Sequence, residues 1–170
     1  LEEETPFNFK NSDGVVIHGY YTRAKNQQAE QAAPMIVVPH GGPHARDSWG
    51  FDPDTHILSQ AGYAVLKVNF RGSTGYGKEF TKLGFGEWGG DTQQDIIEAT
   101  EWAIAQGIAD KEKIGIYGGS YGGFITLDPS IYYVSKVPIS IDFLTIILLN
   151  IGTLVLCFLM LIIPSIIITK

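Results

Sequence analysis

The stretch Lys113-Ile114-Gly115-Ile116-Tyr117-Gly118-Gly119-Ser120-Tyr121-Gly122-Gly123 decides the fold. Its first half reads as a short apolar strand, and the pattern Gly-x-Ser-x-Gly follows at Gly118, Ser120 and Gly122. A chain that turns sharply out of a strand holds the central Ser in a strained conformation, and glycines two positions before and after it relieve the crowding. The stretch therefore predicts a nucleophile elbow, which exposes the Ser120 hydroxyl at the carboxyl end of a strand and leads into a helix.

A second glycine turn, His40-Gly41-Gly42-Pro43, directly follows another apolar run at residues 34–39. In acyl transfer the substrate carbonyl oxygen becomes an oxyanion, which two backbone N–H groups can stabilise. Gly41 and Gly42 let the backbone approach a substrate closely, and the N–H of Tyr121 is the second candidate donor. We expect both turns to form one site; an ordinary strand-ending turn is the alternative for the first.

Strand and helix patterns alternate along the first 124 residues. Residues 7–10 and 15–22 read as extended segments joined by an Asp-Gly reversal, which predicts a hairpin. Strand patterns at 34–39, 63–69 and 113–117 are separated by helix patterns at 54–61 and 91–107. Helices of this length between strands imply crossover connections, so we expect an α/β fold with a mostly parallel sheet and flanking helices.

The longer helix pattern allows two local predictions. Asp91 followed by Gln94 resembles a capping box, in which the two side chains would satisfy free N–H groups of the first turn. Asp95, Glu98 and Glu101 recur at helical spacing, and their simplest interpretation is the solvated face of the helix.

The composition changes abruptly after Phe124. The first 124 residues carry 10 Lys and Arg against 16 Asp and Glu, which accounts for the whole net charge of −6, whereas residues 125–170 carry two of each. An acidic chain without a basic run is not expected to bind nucleic acid. The single Cys157 excludes an intrachain disulfide and a multi-cysteine zinc site. We therefore expect two segments of different character, 1–124 and 125–170.

No cofactor or metal site is indicated. The loop at residues 71–77 is rich in glycine but lacks the Gly-Lys-Ser/Thr ending that cradles phosphate. His40 and His44 are four positions apart, yet the Gly-Gly-Pro between them prevents the helix that would place both on one face.

The motifs of residues 6–124 together resemble the prolyl oligopeptidase family of serine peptidases, in its acylaminoacyl-peptidase and dipeptidyl-peptidase-IV-like branch. The resemblance rests on His40-Gly41-Gly42-Pro43, Asn69-Phe70-Arg71-Gly72-Ser73-Thr74-Gly75-Tyr76-Gly77, Trp88-Gly89-Gly90-Asp91 and Gly118-Gly119-Ser120-Tyr121-Gly122-Gly123-Phe124. It implies a partial α/β-hydrolase fold, namely the N-terminal part of the catalytic domain up to the elbow.

For the site, the resemblance implies that Ser120 is the acylated nucleophile and that Tyr121 and Gly42, or Gly41, donate N–H groups to the oxyanion. The implied reaction is hydrolysis of an oligopeptide, dipeptidyl or acylaminoacyl substrate without a cofactor. Intact relatives also carry a β-propeller and the remaining half of the hydrolase domain, which the resemblance implies as partners of this segment.

The catalytic triad is incomplete in this sequence. A Ser hydroxyl needs a His to remove its proton and a carboxylate to hold that His, in the order Ser, acid, His in this fold. After Ser120 the sequence contains no His, and its only acids are Asp128 and Asp142. His40 or His44 could reach Ser120 only by an unusual route. We expect negligible turnover by this chain alone; the alternative is a non-catalytic remnant or a membrane-tethered binding protein.

The hydrophobic tail, residues 125–170, leaves two interpretations open. Residues 143–163 are 21 consecutive uncharged positions, and a helix of that length, about 31 Å, could cross a bilayer core of ~30 Å. The other interpretation is a frameshift or gene-model artefact joined after Phe124. The body favours a cytoplasmic location, and the tail, if genuine, favours a membrane.

Overall fold

The computed structural model describes residues 2–28, 31–126 and 151. Nine elements follow one another in these residues, all within one compact unit, Leu1–Lys136. They are β1 (Glu4–Lys10), β2 (Val16–Thr22), β3 (Ala33–Val37), α1 (Pro53–Gln60), β4 (Ala64–Asn69), α2 (Lys78–Lys82), α3 (Asp91–Ala105), β5 (Ala109–Ile116) and α4 (Tyr121–Thr126).

The five strands form one mixed sheet in the order β1-β2-β4-β3-β5. β1 pairs antiparallel with β2, β2 pairs antiparallel with β4, and β3 lies parallel between β4 and β5. The expected combination of sheet and helices is confirmed. The expectation of a mostly parallel sheet is wrong for the described strands, because the hairpin joins the sheet through β2 and makes half of the pairings antiparallel.

The predicted hairpin is present as β1 and β2, and its turn lies at residues 11–14. Gly14 has a φ of 82°, a conformation that glycine adopts without the strain a Cβ would cause. Asn11 closes the turn, because its backbone N–H donates to the Val15 carbonyl at 2.9 Å and its side-chain oxygen accepts from the Val15 N–H at 2.7 Å.

β4 is the centre of the core. All six of its residues are buried, so both faces of this strand are covered. The core cluster combines buried side chains of β4 with those of β2, β3 and α3. It includes Ile17, Met35, Val37, Leu66, Ile96 and Ala99.

The two longer helices begin in different ways. Asp52 caps α1, since its carboxylate accepts from the Thr55 N–H at 2.9 Å. The N-cap of α3 is Gly90, and no side chain caps that helix. The capping box predicted for Asp91 and Gln94 is therefore wrong, because the Asp91 carboxylate accepts a hydrogen bond from the Arg71 guanidinium at 2.7 Å instead.

The carboxyl ends of β3 and β5 lie next to each other. The two strands pair in parallel, and the Tyr117 N–H extends the pairing by donating to the Val37 carbonyl at 2.9 Å. Parallel strands deliver the segments that follow them to the same edge of a sheet. Both glycine turns therefore leave the sheet at one place.

Residues 127–150 and 152–170 lie outside the described part of the chain. The candidate membrane segment 143–163 falls there apart from Ile151, as do Asp128 and Asp142. Among the described residues, no helix has the length and apolar character needed to cross a membrane.

Candidate active site

Ser120 occupies a strained turn between β5 and α4. Its φ is +56°, one of two positive values among the non-glycine residues that the structure describes. This region of backbone space is unfavourable for residues with a Cβ, and such strain is concentrated at functional sites. The Ser120 residue is exposed, and its carbonyl accepts from the Phe124 N–H at 3.0 Å. The strained, exposed elbow predicted from the glycine pattern is present.

The glycines around Ser120 are required by close backbone approach. A Cβ on Gly122 would overlap the Pro39 carbonyl oxygen, and a Cβ on Gly118 would lie 2.8 Å from the Gly122 carbonyl carbon. Gly119 has nothing within 4 Å of the position that its Cβ would take. The turn is thus crowded two positions before and after the Ser, where the sequence pattern places its glycines, and open at the position between.

The first glycine turn lies against the elbow through Gly41. A Cβ on Gly41 would stand 3.4 Å from the Ser120 Cβ and 3.5 Å from the Gly119 carbonyl oxygen. Gly42 has a φ of +126°, and the nearest neighbours of its would-be Cβ are His44 and Ala45. The peptide bond between Gly41 and Gly42 carries the Gly42 N–H, so this donor is covalently adjacent to the residue that contacts Ser120.

The candidate oxyanion donors are free of protein acceptors. Within residues 2–28 and 31–126, the backbone N–H groups of Gly41, Gly42 and Tyr121 donate to no carbonyl or side-chain oxygen. Buried or crowded N–H groups are normally paired, and a free donor beside a nucleophile is the arrangement that an oxyanion requires.

The His40 ring makes its contacts with its own turn, with Ser73 and with Phe70. Its Nδ1 lies 2.7 Å from the Gly41 carbonyl oxygen, its Nε2 lies 2.9 Å from Ser73 Oγ, and its ring stacks on Phe70 with centroids 4.4 Å apart. Burial lowers the pKa of His40, and the hydrogen bond to Gly41 opposes that shift. Its contacts give His40 a role in holding the turn.

The other histidines also have partners elsewhere. His44 Nδ1 donates to the Gly72 carbonyl at 3.1 Å, and His18 stacks on Tyr76 at 4.6 Å. His56 lies 5.8 Å from the Phe51 ring. Within the described residues, which include all four histidines, no imidazole hydrogen-bonds Ser120. No cluster of His, Cys, Asp and Glu in that part of the chain could hold a metal ion.

Tyr121 is anchored by the amino end of α3. Its side chain is buried, and its hydroxyl lies 2.7 Å from Thr92 Oγ1. The Thr92 hydroxyl donates to the Glu87 carbonyl at 2.7 Å, so it accepts the proton of the Tyr121 hydroxyl. Burial raises the pKa of Tyr121, and the hydrogen bond to Thr92 opposes the shift. The phenol end of the residue directly after the nucleophile is therefore anchored to α3.

A buried ion-pair cluster supports the loop that contacts the first turn. Asp95 is fully buried and accepts three hydrogen bonds from Arg71: one from the backbone N–H at 2.9 Å and two from the guanidinium at 2.9 and 2.7 Å. Hydrogen bonding to Asp95 raises the pKa of Arg71 further above its ordinary value. The interpretation of Asp95 as part of a solvated helix face is wrong.

Of the other two acidic residues predicted on that helix face, one contacts the hairpin turn and one is exposed. Glu98 accepts from both the backbone N–H and the hydroxyl of Ser12, at 2.8 and 2.6 Å. Glu101 is exposed, as expected. In the sequence, the four-residue spacing of Asp91 and Asp95 places both carboxylates on one helix face. That spacing does not indicate their partner, Arg71, which lies 24 positions before Asp95.

The segment after the first turn is tied to the end of β4. The Asp47 N–H donates to Asn69 Oδ1 at 2.8 Å, and Asn69 Nδ2 donates to the Asp47 carbonyl at 3.0 Å. Burial raises the pKa of the Asp47 carboxyl from 3.8 to about 6, against the attraction of Lys67. This segment therefore carries a carboxyl that is costly to ionise, close to the turn.

Comparison with known proteins finds similarity to peptidases. The model of the prolyl oligopeptidase family matches residues 49–128. The chain is 41% identical over 133 residues to dipeptidyl aminopeptidase BIII of Pseudoxanthomonas mexicana. The aligned region covers 75% of this chain and 19% of that protein. It is 54% identical over 93 residues to dipeptidyl peptidase family member 6 of Caenorhabditis elegans, covering 55% of this chain and 13% of that protein.

A solved structure shares the fold. The acylaminoacyl peptidase of Pyrococcus horikoshii superposes with a TM-score of 0.67 at 33% identity, over 74% of this chain and 20% of that one. The chain thus spans about a fifth of these relatives or less.

Proposed function

Since residues 49–128 match the model of the prolyl oligopeptidase family, we propose that this chain carries the nucleophile and oxyanion part of a serine-type peptidase. Ser120 Oγ attacks the carbonyl carbon of a peptide or acyl-amino bond. A new C–O bond forms as the C–N bond breaks, and the hydroxyl proton passes through a base to the leaving amine. The N–H groups of Tyr121 and of Gly42, or Gly41, stabilise the oxyanion.

One observation carries this proposal: an exposed Ser in a strained left-handed turn lies against a glycine of a second turn. A structural turn gains nothing from a strained Ser at φ +56°. The N–H groups of Gly42 and Tyr121 support the same role, because within the described residues they donate to no protein acceptor and are available to an oxyanion.

The proposal separates acylation from turnover. The sequence has no His after Ser120, and within the described residues no imidazole contacts it. We propose that the chain by itself reacts slowly with activated acyl or phosphoryl groups and has negligible peptidase turnover. The base and its carboxylate belong to the half of the hydrolase domain that intact relatives carry.

A second candidate is a non-catalytic binding protein with the same fold, and it is favoured by the contacts of the described imidazoles, none of which hydrogen-bonds Ser120. The two candidates differ at Ser120, since a binding protein needs the shape of the elbow but not the reactivity of its hydroxyl. In the peptidase reading the substrates are dipeptidyl or acylaminoacyl peptides and the partner is a β-propeller. We also propose a cytoplasmic location for residues 1–124 and a membrane contact for residues 125–170.

The experiment is covalent labelling of the full chain with a fluorophosphonate, followed by intact mass measurement and peptide mapping. We expect one adduct, on Ser120, that is lost in Ser120→Ala and kept in Ser59→Ala, which removes a buried hydroxyl that bonds to the Arg23 carbonyl. Labelling that is absent, or spread over several serines, would favour the binding protein. Ser120-dependent hydrolysis of a peptide substrate over many turnovers would contradict the expected lack of turnover.

A further inference from the structure

One aromatic ring touches both halves of the candidate oxyanion site. Phe70 directly follows β4 and is fully buried. Its ring stacks on His40, with centroids 4.4 Å apart and planes 14° from parallel, and lies 5.8 Å from the Tyr121 ring at 43°. His40 begins the first glycine turn, and Tyr121 carries the second candidate donor.

We propose that Phe70 is a positioning residue that couples the two oxyanion donors, the N–H groups of Gly42 and Tyr121. This inference rests on the proposed function, because it concerns how those donors are held. Phe70 touches no reacting atom; it acts through His40 and Tyr121. Misplacing a catalytic group by about 1 Å can cost about a hundredfold in rate, so the relative position of two donors in segments that follow separate strands needs a physical link.

On one side of Phe70, hydrogen bonds lock the His40 ring. The Gly41 carbonyl can only accept, so His40 Nδ1 carries a proton and donates to it. In the neutral ring Nε2 is then an acceptor 2.9 Å from the Ser73 hydroxyl, which has a second acceptor in the Phe70 carbonyl at 2.6 Å. The His40 ring therefore has a hydrogen-bond partner at each nitrogen and Phe70 against its face, and these contacts fix the orientation of the turn.

The same contacts accommodate protonation of the ring. When Nε2 gains a proton it donates to Ser73 Oγ, whose own proton can turn to the Phe70 carbonyl 2.6 Å away. Each polar group keeps a partner in both states. The stacking of His40 on Phe70 is thus supported by the Ser73 hydroxyl and the Phe70 carbonyl in addition to the ring contact itself.

On the other side, Tyr121 is locked at its far end. Its hydroxyl bonds to Thr92, and the Trp88 ring meets it edge-on at 5.2 Å. A displacement of Tyr121 therefore has to push against either α3 or Phe70. Because the protein interior is close-packed, a displacement of the Tyr121 ring is transmitted to the Phe70 ring.

The test uses amide NMR on the full chain, labelled with 15N-glycine and 15N-tyrosine. In Phe70→Leu we expect the amide resonances of both Gly42 and Tyr121 to move. Phe7→Leu is the matched control, since Phe7 is also buried in the core and stacks on Trp102 at 4.3 Å. That control should leave both amides in place, and equal effects of the two substitutions would overturn the proposal.

Milder variants keep the test decisive if Phe70→Leu does not fold. Ser73→Ala loosens His40 without touching Tyr121, and Thr92→Val loosens Tyr121 without touching His40. Coupling through Phe70 predicts that each moves the far amide as well as the near one. Thr100→Val removes a buried hydroxyl of the same helix that bonds only to the Ile96 carbonyl, and it should move neither. Changes confined to the near amide in both variants would overturn the proposal.

A second readout separates this proposal from the proposed function. Phosphonylation of Ser120 should be at least about tenfold slower in Phe70→Leu than in Phe7→Leu at equal stability, because a lost donor costs about 10²–10³ in rate. If the unmodified chain does not label at all, the proposed function fails, while the amide measurement still decides whether Phe70 couples the two donors.

Discussion

The turn at residues 40–43 and the turn at residues 118–122 both follow strands of the parallel part of the sheet, yet different contacts hold them. The elbow is held by backbone crowding, with Gly122 against the Pro39 carbonyl and Gly118 against Gly122. The first turn is held by side chains, chiefly the hydrogen bond of His40 to Ser73, 33 positions along the chain.

This difference separates two ways of building a catalytic geometry. Exclusion by backbone atoms makes the elbow intolerant of a Cβ added at Gly118 or Gly122. The first turn depends in addition on the loop at residues 71–77. That loop depends in turn on the buried pair of Arg71 and Asp95.

The largest effect is expected from adding one methyl group to the elbow. In Gly122→Ala the new Cβ overlaps the Pro39 carbonyl oxygen, which belongs to rigid backbone. Overpacking usually costs about 1–3 kcal/mol, and with no flexible neighbour we expect more than about 4 kcal/mol, measured as free energy of unfolding in urea.

Gly119→Ala is the matched control for that substitution. Its Cβ would meet nothing within 4 Å, so the free energy of unfolding should change by less than about 1 kcal/mol. Similar losses for the two variants would mean that the elbow is not held by backbone crowding.

The next largest effect tests what supports the first turn. In Asp95→Asn the Arg71 guanidinium, 4% exposed, loses the charge of a fully buried partner. Breaking a buried pair costs about 3–5 kcal/mol. We expect a loss of about 3 kcal/mol in urea denaturation, with a larger amide shift at Gly42 than at Tyr121.

Asp91→Asn provides the comparison on the same guanidinium. The Asp91 carboxylate is 52% exposed, and exposed pairs contribute about 1 kcal/mol or less. If Asp91→Asn costs as much as Asp95→Asn, the account of a buried anchor at Asp95 is wrong.

A pH effect of intermediate size is expected on the first turn. The pKa of Asp47 is raised from 3.8 to about 6, so from pH 3.8 to 6 the unfolded chain loses this proton while the folded chain keeps it. Stability attributable to Asp47 therefore falls as pH rises through this window, by about 3 kcal/mol in total.

The measurement is the free energy of unfolding of wild type and Asp47→Asn from pH 4 to 7. Burial lowers the pKa of His40, which changes stability in the opposite sense below pH 6.5, so only the difference between the two proteins isolates Asp47. The variant should gain on wild type as pH rises, and parallel curves would refute the raised pKa.

The smallest effect concerns the phenol that anchors the elbow. Tyr121→Phe removes a hydrogen bond to Thr92, which keeps its bond to Glu87. We expect a loss of about 1 kcal/mol. Tyr117→Phe, at a side chain that is 55% exposed, should change the free energy of unfolding by less than about 0.5 kcal/mol. A neutral Tyr121→Phe would show that Thr92 does not anchor the elbow.

The elbow could be predicted from the sequence because its cause is local. Gly118 relieves a clash within the turn itself, against Gly122, and a strand pattern leads directly into the turn; the contact of Gly122 with the Pro39 carbonyl is not local and could not be predicted. The hairpin was readable for the same reason, since the Asp-Gly reversal acts on its own backbone. Local patterns of this kind specify the backbone without reference to the rest of the fold.

The supports of the first turn could not be predicted in this way. His40 with Ser73, and Arg71 with Asp95, join residues far apart in sequence, and the spacing of Asp95 within its helix fitted a solvated face equally well. The mixed sheet was missed for a related reason. The hairpin was recognised, but no local pattern shows that β2 pairs with β4.

The most direct measurement is a crystal structure of the full chain carrying a phosphonyl group on Ser120. The account predicts that the phosphoryl oxygen lies about 2.7–3.1 Å from the backbone nitrogens of both Gly42 and Tyr121. An adduct whose oxygen points into solvent, or bonds to only one of the two turns, would contradict the claim that they form a single oxyanion site.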